Sequence, residues 1–181
     1  MYPILILRAE FVCLVLLIFL LFTSKAYKLE KNSRSFSKLL LFAIAHVVFD
    51  IITVLTVNNT GVVPNYINWI AHAIFYITAI LFSNEIANYA VRICYPLSAK
   101  SFYRLGYILT AIYAVVLPFL KVEYKSDLGT WSSTGPGAYV GYGLAFVFFL
   151  SALVIMFLNF RKIPGHVKRT LVPMMVAQVP L

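Results

Sequence analysis

Two stretches of this chain that are otherwise apolar carry ionisable side chains. His46 and Asp50 lie four residues apart in one, and His72 lies in the next. Buried in lipid, such groups cost about 2.5–3.5 kcal/mol each unless they are partnered, so they mark either hydrogen bonding between helices or a site. An i, i+4 spacing puts His46 and Asp50 on one helix face. Asp50 precedes Val57 by seven residues and His72 follows Asn65 by seven. At about 1.5 Å per residue, both fall roughly 10 Å from the same end of two antiparallel helices, close enough for an Asp50–His72 hydrogen bond. Arg8 and Glu10 fall in the same layer, and Trp131 lies in a polar loop at that end. Such a layer could bind a ligand or act as a protonatable switch open to the outside. The plainer alternative is structural glue between helices.

Other chemistry is thinly represented. Asn84, Glu85 and Asn88 lie near the opposite end of the third apolar run, with Arg92 and Arg104 close enough for an interfacial salt bridge. The chain has no hydrolase serine elbow, HExxH pair, phosphate loop or CxxC pair, so no catalytic residue, metal ligand set or cofactor is expected within it. Cys13 and Cys94 lie in different environments and are expected to pack rather than to pair.

The elements that must position these groups follow from composition. At 62% hydrophobic, 12% charged and a mean hydropathy of +0.90, the 181 residues hold too little polar surface for a water-soluble domain. A helix needs roughly 20 apolar residues to cross a bilayer. Five runs reach that length: Ile4–Thr23, Phe36–Val57, Tyr66 to about Ile86, Phe102–Leu120 and Ala138–Phe160. A sixth starts near Thr170 and is incomplete at Leu181. The expected fold is an all-α, polytopic transmembrane bundle forming one domain over residues 1–181, with five complete spans and a truncated sixth, part of a seven-helix region. The first run is read as a retained helix rather than a leader, because its basic cluster follows the apolar stretch instead of preceding it.

The net charge of +9 does not point to nucleic acid, because the cations lie in short connections between apolar runs. Lys25, Lys28, Lys31, Arg34 and Lys38 separate runs one and two. Arg92, Lys100 and Arg104 separate three and four, and Arg161, Lys162, Lys168 and Arg169 separate five and six. The alternate connections are uncharged or balanced. The positive-inside rule then puts the N-terminus outside and the basic connections in the cytoplasm, in a multi-pass cytoplasmic membrane protein. Between runs four and five, Asp127-Leu128-Gly129 is a turn signal between Val122–Tyr124 and Thr130–Ser132, predicting a small hairpin or ordered loop over the outer face with Tyr124, Trp131 and Tyr139 at headgroup level. Gly135-Pro136-Gly137 should break the chain before helix five, Gly141 and Gly143 should admit a close neighbour, and Pro118 should kink helix four, as Pro173 should the sixth run.

The stretch FDIITVLTVNNTGVVPNYINWIAHAIFY (49–76) and the later VEYKSDLGTWSSTGPGAYVGYGLAFVFFLSALVIMFLNFRK, followed by HVKRTL, resemble the N-terminal membrane region of bacterial GGDEF-type diguanylate cyclases. Similar regions precede histidine kinases. The resemblance implies a sensory region whose last helix continues into a cytoplasmic domain making cyclic di-GMP. GTP and Mg²⁺ would belong to that output domain, as would homodimerisation, and this chain would have no cyclase activity of its own. The expected partners of these residues are the lipid bilayer and a small-molecule or membrane signal. A transporter or channel component, and a membrane-embedded enzyme, are the competing classes. The first would need a continuous polar path that runs one, two and five do not supply.

Overall fold

The computed structural model describes the backbone of residues 8–26, 33–59, 61–97, 99–127 and 130–161, and their side chains apart from 8–9, 23–26, 33–34, 125–127 and 130–132. Among these residues there are five α-helices: α1 (Arg8–Ala26), α2 (Ser33–Asn58), α3 (Asn65–Cys94), α4 (Ala99–Val116) and α5 (Pro136–Leu158). A two-stranded hairpin, β1 (Glu123–Asp127) and β2 (Thr130–Thr134), lies between α4 and α5. Four helices are long and apolar enough to cross a bilayer, within Ser35–Asn58, Asn65–Cys94, Ala99–Phe119 and Pro136–Leu158. The described apolar part of α1, Glu10–Phe22, is shorter, and the expected sixth run falls outside the described residues.

The bundle is organised around α3. In its most apolar stretch 67% of residues are buried, against 28% in α2 and 22% in α4 and in α5. Helix α3 lies against α5 and α2 along most of its length and against α4 over a shorter seam, while α1 flanks α2. Small residues make the close approach: Ala71, Ala79, Ala87 and Ala90 of α3 and Ala138 and Ala152 of α5 are all buried. In lipid, where apolar side chains gain nothing by leaving a hydrocarbon solvent, such contacts and interhelical hydrogen bonds hold helices together. The outer faces of α1, α2, α4 and α5 stay apolar and exposed, with Phe19, Leu41, Ile112 and Phe157 among them, as a lipid-facing surface is.

Helix α3 runs eight residues beyond the expected stop near Ile86. Asn84, Glu85 and Asn88 interrupt the hydropathy signal but not the helix, because each is buried by neighbouring helices. The expected salt bridge to Arg92 or Arg104 is replaced by a different pairing. Tyr107 of α4 donates to Glu85 Oε1 at 2.6 Å, and Arg92 donates to Ser35 of α2. At the same end, Lys38 donates to Tyr103 Oη at 3.5 Å and lies 5.6 Å from the centre of its ring, tying α2 to α4.

Pro118 ends the helix rather than kinking it. Lacking an N–H, it sits in a 3₁₀ turn (Leu117–Phe119) that ends α4. The hairpin strands pair antiparallel, with Glu123 opposite Thr134 and Asp127 opposite Thr130. Gly135 then adopts φ +101°, where a Cβ would lie 2.8 Å from the Lys121 carbonyl oxygen, and Pro136 opens α5. Of the two glycines expected to admit a neighbour, only Gly141 does so. A Cβ there would meet Tyr113 Oη at 2.6 Å, whereas Gly143 faces open space. Cys13 is exposed and Cys94 half-buried, and no disulfide joins them.

Candidate functional site

The i, i+4 pair on α2 opens onto a cleft. His46 and Asp50 form one wall of a cavity of about 450 Å³. Its floor is Phe75, Ala79 and Ser83 of α3, and its far wall is Tyr142, Ala145, Phe146 and Phe149 of α5. The cleft exists because α2 and α5 each pack extensively on α3 and much less on one another. Strand β2 reaches both flanking helices, and Ser133 Oγ lies 3.4 Å from Tyr142 Oη, so the hairpin straps one end of the cleft.

The cleft is narrowed by aromatic packing. His46 stacks on Phe75 with centroids 5.0 Å apart and planes at 27°, and is also stacked at 6.1 Å from Phe82. Tyr142 meets Tyr76 edge-on at 5.4 Å and Phe75 at 6.5 Å. These are the offset and edge geometries that ring quadrupoles favour. With its ring held this way, His46 keeps Nδ1 buried and without a hydrogen-bond partner among the described residues. Glu10 of α1 lies within electrostatic range of Asp50, as does the Tyr142 phenol. Glu10 Oε2 is likewise buried and unpartnered. Two carboxylates therefore share an apolar region, and among the described residues no cation pairs with either.

His46, Asp50 and Glu10 thus come together as expected, but the Asp50–His72 hydrogen bond does not form. His72 Nδ1 is 2.9 Å from the Asn68 carbonyl oxygen, one turn back on its own helix. A carbonyl only accepts, so Nδ1 must carry the proton. The His72 ring turns under the hairpin and packs at 4.6 Å against Tyr124 of β1. Near this end Thr56 Oγ1 donates to Asn68 Oδ1 at 3.0 Å, tying α2 to α3. The side chains of Arg8 and Trp131, both expected at this end, lie outside the described residues.

Tyr124 connects hairpin to bundle. Burial pushes its phenol up from 10.0 to about 12, and its hydroxyl finds no hydrogen-bond partner among the described residues. Two results follow for hairpin docking, read by amide exchange in Glu123–Asp127. Tyr124→Phe will leave protection equal or higher, because it removes an unpaired polar atom and keeps the ring, whereas Tyr124→Ala will lower it. The docked state also holds a proton that the undocked state releases between pH 10 and about 12. Docking will therefore weaken as pH rises through that interval and be insensitive to this group below it.

The sequence reading missed the aromatic lining. A signal was present, since His72, Phe75, Tyr76, Ala79 and Ser83 recur at helical spacing, as do Tyr142, Ala145, Phe146 and Phe149. No family model, curated protein or solved structure matches the chain.

Proposed function

We propose that this chain is the membrane-embedded signal-input region of a bacterial receptor, whose last helix continues into a cytoplasmic output domain. The output we favour is a diguanylate cyclase, on the resemblance of 49–76, 122–162 and 166–171 to the membrane regions of those proteins. In this reading the hairpin end faces outward and the end carrying Lys38, Arg92 and Arg104 faces the cytoplasm. Helix α1 completes a fifth crossing and the run from Thr170 begins a sixth. The protein resides in the cytoplasmic membrane.

The observation that carries the reading is the cleft between α2 and α5, strapped by the hairpin and walled by His46 and Asp50. Two helices joined mainly through a third can change their separation without unpacking the core. Occupancy of the cleft would bias that separation, provided the occupant binds the two spacings unequally, since equal affinity moves no population.

The test uses the full-length receptor. Asp50→Asn should shift cyclic di-GMP output by about fivefold or more, the lower range of typical allosteric couplings, with membrane expression intact. Unchanged output at normal expression would leave the His46–Asp50 layer as helix packing alone. Reading the coding sequence beyond Leu181 tests the output independently: a GGDEF-bearing domain is expected, and a kinase domain would transfer the same input reading to another output.

A further inference from the structure

We infer that the α2–α3–α5 cleft takes a protonated arylalkyl amine, with its ammonium on the His46–Asp50 wall and its apolar body against α5. This inference rests on the input reading above and names the class of molecule the cleft would detect. The volume, about 450 Å³, lies in the range of small-molecule sites, which combine apolar walls with a few convergent polar groups. Here the polar groups are confined to one side. Asp50 and His46, one turn apart on α2, face an α5 wall made of Tyr142, Ala145, Phe146 and Phe149. A bound molecule must therefore be polar at one end and apolar at the other.

Charge decides the sign of the polar end. Asp50 is a carboxylate, a second carboxylate, Glu10, lies within electrostatic range, and among the described residues neither is paired with a cation. An anion would be repelled by both, and a neutral molecule would leave their charge uncompensated. An ammonium satisfies Asp50 by a charge-assisted hydrogen bond. His46, one turn away on the same wall, adds polar surface beside that carboxylate. The rings of Phe75 and Tyr142 line the cleft next to the same wall. A primary or secondary amine has an N–H to give Asp50, which a quaternary ammonium lacks. Phe146 is exposed on the flank of α5, so the cleft opens beside a lipid-facing surface and a membrane-partitioned amine can enter laterally.

The experiment is equilibrium binding to this chain in zwitterionic lipid nanodiscs, with empty discs subtracting partition into lipid. The probes are phenylbutylamine, phenylbutanol and phenylbutyrate, which share a phenylbutyl body and carry a cationic, a neutral and an anionic end. The amine should bind at least about tenfold more tightly than the alcohol, and phenylbutyrate should not bind. Asp50→Asn, a replacement of nearly the same size, should weaken the amine by about 10–100-fold and leave the alcohol unchanged, as loss of a hydrogen bond to a charged group does. Equal binding of amine and alcohol by the unaltered chain would overturn the inference without recourse to any variant, as would amine binding that Asp50→Asn does not weaken. Binding is read with no output domain present, so the two readings fail separately. An amine that binds as described but never changes receptor output refutes the input role alone. No amine binding, with output still sensitive to Asp50→Asn, refutes the ligand class alone.

Discussion

Gly141→Leu will loosen the bundle at the point where three helices meet. A Cβ at 141 already overlaps Tyr113 Oη at 2.6 Å and touches Tyr76 Cβ at 3.3 Å, and three further carbons would have to occupy space those rings fill. Neither ring can easily yield. Tyr113 donates to the Gly137 carbonyl oxygen at 2.9 Å, and Tyr76 is fully buried with its ring edge-on to Tyr142. Overpacking of this kind costs about 1–3 kcal/mol, or a thermal midpoint lower by several degrees at about 2–4 °C per kcal/mol for a domain of this size. Gly143→Leu is the matched control. It faces open space, so it should leave the midpoint of the lipid-reconstituted chain almost unchanged. Equal loss at both positions would place the close contact elsewhere.

Tyr76→Ala is expected to be the most damaging single substitution. The ring contacts Phe75 at 5.6 Å, His72 at 6.4 Å and Tyr142 at 5.4 Å, and so joins the hairpin side of the bundle to the cleft. Removing a buried aromatic ring costs about 3–5 kcal/mol in water-soluble cores. In lipid the transfer part of that cost shrinks, because the unpacked side chain meets hydrocarbon rather than water, while the lost contacts and the void remain. A loss of about 2–4 kcal/mol is therefore expected, measured by unfolding in lipid or mild detergent. Tyr76→Phe keeps the ring and should retain most of the stability. A Phe variant as unstable as the Ala variant would assign the effect to the hydroxyl instead.

The helices and the hairpin were legible in the sequence because each has a local cause. Apolar runs bounded by charges gave the helices, the polar stretch between α4 and α5 the paired strands, and Gly135-Pro136 the entry to α5. The end of α3 was not legible, since hydropathy falls at Asn84 and Glu85 while the helix continues under cover of α2, α4 and α5, which no local window contains. The Asp50–His72 pairing failed for a geometric reason. Depth along two helices follows from the rise per residue, but direction around each axis turns by about 100° per residue and is settled only by packing. His72 found its own Asn68 carbonyl and Tyr124, while Asp50 faced the cleft. The cleft itself arises from the spacing of α2 and α5 on α3, a relation among three segments that no single one encodes.

These readings depend on which end of the bundle faces the cytoplasm. Reporter fusions that fluoresce only in the cytoplasm decide this directly. Fusions after Lys38 and after Arg104 should be bright and one after Ser126 dark, placing the hairpin and the strapped end of the cleft outside. Bright fluorescence after Ser126 with darkness at the other two positions would invert the protein in the membrane and contradict an outward-facing input site.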